Sequence, residues 1–156
     1  MADNVSNTIA GILTQARDEI RANMQTQNIN ASGRTSASLQ VRKNGSRIEL
    51  VKVAGENAPF QTLQYGRGGG KVPAGFYNII KQWTRDKGLS FANETERGTF
   101  AYFVARKIAR EGTRRHETPN TQVYSEPIKK ASEEIGQEVR RYILQSVQTT
   151  IKANFR

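Results

Sequence analysis

The chain has a single histidine, His116, and no cysteine, so few of its residues can do chemistry. His116 stands between Arg115 and Glu117. It has no neighbouring nucleophile to activate as a general base, and no second histidine or cysteine with which to share a metal ion. It reads as a surface histidine. The carboxylates come in small groups: Asp18/Glu19, Glu94/Glu96 and Glu133/Glu134/Glu138. Glu134 and Glu138 lie one helical turn apart, but Lys129, Lys130 and Arg141 stand beside them, the pattern of a solvated face. A metal-dependent nuclease needs a tighter cluster. The last candidate is the run Gly66-Arg67-Gly68-Gly69-Gly70-Lys71. A P-loop needs a glycine where Tyr65 stands and a Mg²⁺-binding hydroxyl where Val72 stands. The dinucleotide fingerprint, counted from Gly66 and Gly68, needs its third glycine where Lys71 stands. Arg67-Gly68-Gly69 is one triplet, not a repeated RNA-binding tail. The chain reads as a non-enzyme, with no catalytic residue, cofactor site or metal site expected.

Charge narrows the class further. The net charge is +10, which favours acidic partners, nucleic acid above all. Residues 1–30 carry two arginines against Asp3, Asp18 and Glu19, a net of −1. Between Glu56 and Asp86 there is no acid, while Arg67, Lys71, Lys81 and Arg85 accumulate. These four are the candidates for facing DNA. The glycine run between Arg67 and Lys71 is kept where backbone freedom or close approach is needed. It reads either as a flexible contact loop, for a phosphate backbone or a neighbouring subunit, or as a solvated connector. No apolar run approaches the ~20 residues of a membrane span, and the N-terminus lacks a basic-then-apolar leader. Folding in a cytoplasm, without a membrane, is the expectation.

The elements that must hold these residues follow from periodicity. At 156 residues the chain is long enough for one domain, 1–156, with flexible loops expected over 66–72 and 113–124. Val5, Ile9, Ile12/Leu13, Ala16, Ile20 and Met24 predict a helix over 4–27, capped by Asp3 or Asn4. Residues 28–36 read as a breaker segment. Ala37, Leu39 and Val41 alternate with polar residues as a strand, and Asn44-Gly45 predicts a hairpin turn. The return strand over 47–53 changes apolar phase, which implies a bulge or burial on both faces. A third strand or extended run is expected over 60–65. Phe76, Ile79, Ile80 and Trp83 predict a helix over 75–87 with Gly88 as its stop and Trp83 in the core. A helix over 95–111 has Thr95 as its cap, Phe100, Phe103, Val104 and Ile108 as its stripe, and Gly112 as its end. Residues 113–124 read as a polar loop whose end, 121–124, pairs as an edge strand. Pro127 opens a last helix bearing Ile128, Ala131, Ile135, Val139, Ile143, Val147 and Ile151. A helix that long outreaches its own core, so its end frays or packs on another subunit. The fold class is α+β: a long N-terminal helix, a small mostly antiparallel sheet with a hairpin, two central helices and a long C-terminal helix.

Several strings in this order resemble the small neck proteins of tailed phages, the head–tail connector or tail-completion family, including those of crAss-like and related phages. They are Gly33-Arg34-Thr35, Leu63-Gln64-Tyr65-Gly66, Lys71-Val72-Pro73-Ala74-Gly75-Phe76, Ile79-Ile80-Lys81-Gln82-Trp83 through Gly88, and Ala105-Arg106-Lys107-Ile108 through Thr113. The likeness runs over residues 5–150, and 63–113 is its distinctive part. It implies a structural virion protein, assembled in the host cytoplasm, that forms a closed ring beneath the portal. A ring of about six or twelve copies closes when one heterologous contact repeats. The resemblance also implies that Gly66, Arg67, Gly68, Gly69, Gly70, Lys71, Arg114, Arg115 and Tyr124 touch a neighbouring subunit, the portal or an adjacent neck or tail protein. Arg67, Lys71, Lys81 and Arg85 would line a channel for genomic DNA or dock on an acidic rim. The alternative is a free basic nucleic-acid-binding protein using the same cations, although interleaved exposed aromatics and a recognition-helix motif are missing.

Overall fold

The computed structural model describes residues 2–53, 60–119 and 122–154. They are 67% helical and form an α+β fold. In chain order the elements are α1 (Ala2–Thr26), α2 (Arg34–Ala37), β1 (Leu39–Asn44), β2 (Arg47–Lys52), α3 (Phe60–Tyr65), α4 (Phe76–Asp86), α5 (Glu94–Glu111), α6 (Arg114–Glu117) and α7 (Ser125–Asn154).

The stripe of α1 buries Ala16, Ile20 and Met24. The helix starts at Ala2, ahead of both expected caps, and the Asn4 carbonyl already accepts the Thr8 hydroxyl at 3.0 Å. It stops at Asn28, whose φ of 53° is left-handed. The Asn28 N–H bonds to the Gln25 carbonyl and the Ile29 N–H to the Met24 carbonyl, a left-handed stop of the kind glycine usually supplies. The breaker region is shorter than the sequence implies, because residues 34–37 form the one-turn helix α2 and β1 begins only at Leu39.

β1 and β2 pair antiparallel without a bulge, from Leu39 opposite Lys52 to Asn44 opposite Arg47. The two turn residues are Gly45 and Ser46, one place beyond Asn44-Gly45, and Gly45 alone takes positive φ (59°). That is the pattern of a turn with glycine in its first central position. The phase change in β2 reflects burial on both faces, since Ile48, Glu49, Leu50 and Val51 are all half-buried. Among the described residues there is no third strand: Phe60–Tyr65 is helical and ends at Gly66, whose N–H bonds to the Thr62 carbonyl at 2.9 Å.

α7 runs antiparallel to α1. Asn23 Nδ2 donates to the Gln122 carbonyl and Glu19 pairs with Lys130 at 3.9 Å, so α7 advances as α1 recedes. Pro127 lies in the first turn of α7 and does not start it. The core forms where α1, β1 and the chain before α7 meet: Ile20, Met24, Leu39 and Val123, with Ile29, Leu50, Leu63 and Tyr124 against them. Val123 is fully buried within a turn, so residues 122–124 are not an edge strand; residue 121 lies outside the described residues. The expected loop 113–124 also contains α6.

α4 and α5 pack on each other with a small interior of Ile80, Thr84, Gly98 and Ala101. Gly88 and Leu89 return N–H bonds to the Arg85 and Thr84 carbonyls, closing α4. The cap of α5 is Asn93, not Thr95: the Asn93 side chain accepts the Glu96 N–H at 2.9 Å, and Glu96 accepts the Ala92 N–H at 3.1 Å. Much of the expected apolar stripe of this pair is not core. Trp83 is 38% exposed, Ile79 53% and Phe103 62%. Polar contacts tie the pair to the rest. Lys87 Nζ reaches the Asn28 carbonyl and side chain and the Asn30 carbonyl, and Arg34 pairs with Asp86.

Candidate functional site: a basic glycine joint

The glycine run lies against the end of α5 and the start of α6. Gly68 and Gly112 form an antiparallel bridge. The Thr113 N–H donates to the Arg67 carbonyl at 2.8 Å, the Arg67 N–H to the Thr113 hydroxyl at 2.8 Å, and the Gly70 N–H to the Ala109 carbonyl at 2.7 Å. Glycine is required here by proximity. A Cβ on Gly69 would stand 2.5 Å from the Arg110 carbonyl oxygen, and one on Gly112 2.5 Å from that of Arg67. A Cβ on Gly66 would collide with the His116 backbone nitrogen. The sequence suggests a free loop; the fold makes of it a hydrogen-bonded joint between two chain segments.

Below the joint, Gln64 is fully buried. Its side-chain oxygen accepts the N–H groups of Tyr124 (3.1 Å) and Ser125 (3.0 Å), and its amide donates to the Ser125 hydroxyl at 2.5 Å. The first amides of a helix lack partners within it, so Gln64 caps α7 from 60 positions away. Tyr65 stacks edge-on to Tyr124, centroids 6.2 Å apart. Burial, and then the neighbouring Tyr65, push the Tyr124 phenol above its ordinary value. Nothing in the residue type marks Gln64 as buried; its place one residue before the Tyr65-Gly66 stop was the only cue.

The candidate contact residues divide. Arg115 is half-buried and donates to the Leu63 carbonyl (2.8 Å) and the Gln27 side chain (3.3 Å), which makes it a strut of the joint. Tyr124 belongs to the core margin. Arg114 and Lys71 are exposed. Arg67 turns back onto its own loop, bonding the Lys71 carbonyl and lying 5.5 Å over the Phe76 ring. Lys81 and Arg85 form a separate group with Arg97 around Glu94, at 3.1, 2.7 and 3.0 Å. Hydrogen bonds from Lys81 and then Arg85 hold the Glu94 carboxyl below the usual carboxylate range. The four cations considered together from sequence are therefore two pairs.

What the fold adds is the end of α5. Gly69 and Gly70 seat on the backbone of Arg110 and Ala109, in the last turns of a helix that also bears Arg106 and Lys107, with Glu111 answering Arg110 and Lys107. Those cations suit the C-terminal dipole of a helix by themselves, and the joint brings the backbone of the basic loop to that helix end. Among the described residues no group of three metal-ligating side chains occurs, and no helix is long and apolar enough to cross a membrane. The arrangement offers fixed positive charge to an anionic surface. No protein-family model, curated protein or solved structure matches the chain.

Proposed function

We propose that this chain is a structural protein of a tailed-phage virion, forming a ring in the head–tail connector beneath the portal, where it serves tail attachment and the passage or retention of the genome. The observation that carries the reading is incomplete burial. The chain exposes 10743 Å², whereas a compact monomer of 17.5 kDa exposes about 7,900 Å². The excess is larger than the roughly 1,600 Å² a subunit covers in two standard-sized neighbour contacts. Large apolar side chains account for part of it, among them Tyr102, Phe103, Ile143, Leu144, Val147 and Ile151, each about half exposed or more. A protein completed by neighbours has this surface. Exposed cations in the joint segments, Lys71 and Arg114, then offer each subunit positive charge for genomic DNA or an acidic portal rim.

The test is the copy number in purified, DNA-filled particles of the source phage, by quantitative mass spectrometry. A fixed count of about six or twelve is expected. Absence from particles, with free protein in the lysate, would sink the reading. Replacing Arg67 and Lys71 with Ser should impair neck assembly or genome retention.

The same cations favour a second reading, a free nucleic-acid-binding protein. It requires duplex DNA binding by the isolated chain that falls steeply with salt. A ring subunit binds free DNA weakly, because its charge acts only when arranged around a channel.

A further inference from the structure

The apolar row of α7 leaves the face that packs on α1. Ala131, Ile135, Glu138, Tyr142 and Ser146 are buried or half-buried against the chain's own fold, and every described residue from 147 on is exposed. The apolar residues instead recur every four positions: Ile135, Val139, Ile143, Val147, Ile151. On a helix of 3.6 residues per turn each such step advances about 40°. The row therefore lies about 80° round the helix at Ile143 and about 160° round at Ile151. Exposure follows, from 37% at Val139 to 53% at Ile143 and 51% at Ile151. A four-residue row is the ridge with which helices cross one another at about −50°.

Elsewhere the same chain has a groove of about 390 Å³, walled by α1 and the first half of α7 and floored by β2, with Ile9, Leu13, Ile48, Leu50 and Ile135 on its surface. Val5, Ile9 and Leu13 of α1 form a four-residue row of their own, half-buried along its length.

Charge selects how these meet. Residues 139–154 hold Arg140, Arg141 and Lys152 and no acid, a net of +3. The groove walls are acidic. α1 has Asp3, Asp18 and Glu19 against Arg17 and Arg21 (−1), and residues 125–138 have Glu126, Glu133, Glu134 and Glu138 against Lys129 and Lys130 (−2), together −3. The floor, β2, adds Arg47 and Lys52 against Glu49 (+1), which leaves the groove at −2. Ridge against ridge would oppose +3 to +3, whereas ridge in groove opposes +3 to −2. Like charges across an interface are costly, and complementary ones fix the register.

We propose that the projecting half of α7 docks in the α1–β2–α7 groove of a second copy, with Ile143 and Val147 as its anchors. The contact is heterologous, so it propagates from copy to copy and closes into a ring or runs on. It deepens the ring reading above, yet it belongs to the isolated chain and stands or falls without the virion.

The experiment is sedimentation of the purified chain and of two variants, with circular dichroism to verify folding. Ile143→Glu/Val147→Glu spoils the ridge at exposed positions; Leu13→Glu spoils the groove. Each alone should weaken self-association at least about tenfold. Mixed, the two should form heterodimers and nothing larger, because one intact ridge meets one intact groove. If Leu13→Glu does not fold, a pair of cysteines replaces it, since the chain has none of its own. Val147→Cys mixed with Ile9→Cys should yield a disulfide-linked heterodimer on oxidation. A wild-type chain that stays monomeric at every concentration overturns the proposal. So does a Leu13→Glu variant that associates like wild type, or a Val147→Cys chain that cross-links mainly to itself. Absence of the protein from phage particles, with this contact intact in solution, would remove the virion reading and leave the docking.

Discussion

The cluster built by α1, the hairpin and α7 is held together by different means from the α4–α5 pair. In the first, three elements converge on Ile20, Met24, Leu39 and Val123, and hydrocarbon is covered from several sides. In the second, two helices meet over Ile80, Thr84, Gly98 and Ala101, small or polar residues for the most part, while their aromatics face outward. Gly98 allows the close approach, since a Cβ there would stand 2.8 Å from the Tyr77 hydroxyl. An amphipathic stripe becomes core only when a third element arrives to cover it. α1 has that element in α7, whereas α4 and α5 have each other and little more.

The largest effects should separate the two regions. Met24→Ala removes a fully buried side chain and should cost 2–5 kcal/mol in denaturant unfolding, in the range of roughly this size for large-to-alanine core changes. Ile143→Ala, an equally apolar change at a 53% exposed site, should stay within about 0.5 kcal/mol for the monomer. Equal losses would erase the distinction. Ile80→Ala should fall between them.

The joint that links the regions comes next. Gln64→Leu leaves the Tyr124 and Ser125 N–H groups without their acceptor and should cost about 1–3 kcal/mol, read by chemical unfolding. Backbone crowding should make Gly69→Ala comparably harmful. Amide hydrogen exchange should then speed up at Gly70 and Thr113, the donors across the joint. Asn93→Ala removes one cap bond and should cost about 1 kcal/mol, the usual worth of such a cap.

The smallest effect concerns charge. Glu94 is held below its ordinary range by Lys81 and then Arg85. A carboxyl depressed in the folded state contributes stability that is present above its unfolded pKa and lost as pH falls through the folded one. An NMR titration should place its midpoint below that of a free glutamate, and Lys81→Ala should move it up. An unchanged midpoint would show that Arg85 and Arg97 suffice.

Much of the architecture was legible because its signals are local. The three- and four-residue steps in α1, α4, α5 and α7, the stops at Gly88 and Gly112, and the Gly45 turn all lie within one element or beside it. The misreadings have physical causes. Phe60, Leu63 and Tyr65 suggest an extended run although their backbone is helical, and the Gly66 stop that decides it reads as part of the loop. Trp83 reads as core from its spacing but is 38% exposed, and with Phe103 at 62% it shows that periodicity gives the side of a helix and not what covers it. The joint was illegible because its halves, 66–70 and 109–116, are distant in sequence and meet mainly through backbone hydrogen bonds. Gln64 was illegible because a polar residue type gives no hint that its amide replaces a missing turn of another helix.

The antiparallel pairing of α1 with α7 also sets a timetable. About a hundred residues separate the end of α1 from the start of α7, so at the usual rate of synthesis, 5–20 residues per second, α1 waits roughly 5–20 s for the helix that covers it. During that interval Ile20 and Met24 have the hairpin, Ile29 and Leu63 as shelter. The order in which the helices are made thus leaves an apolar flank of the nascent chain partly uncovered until the last helix is synthesised.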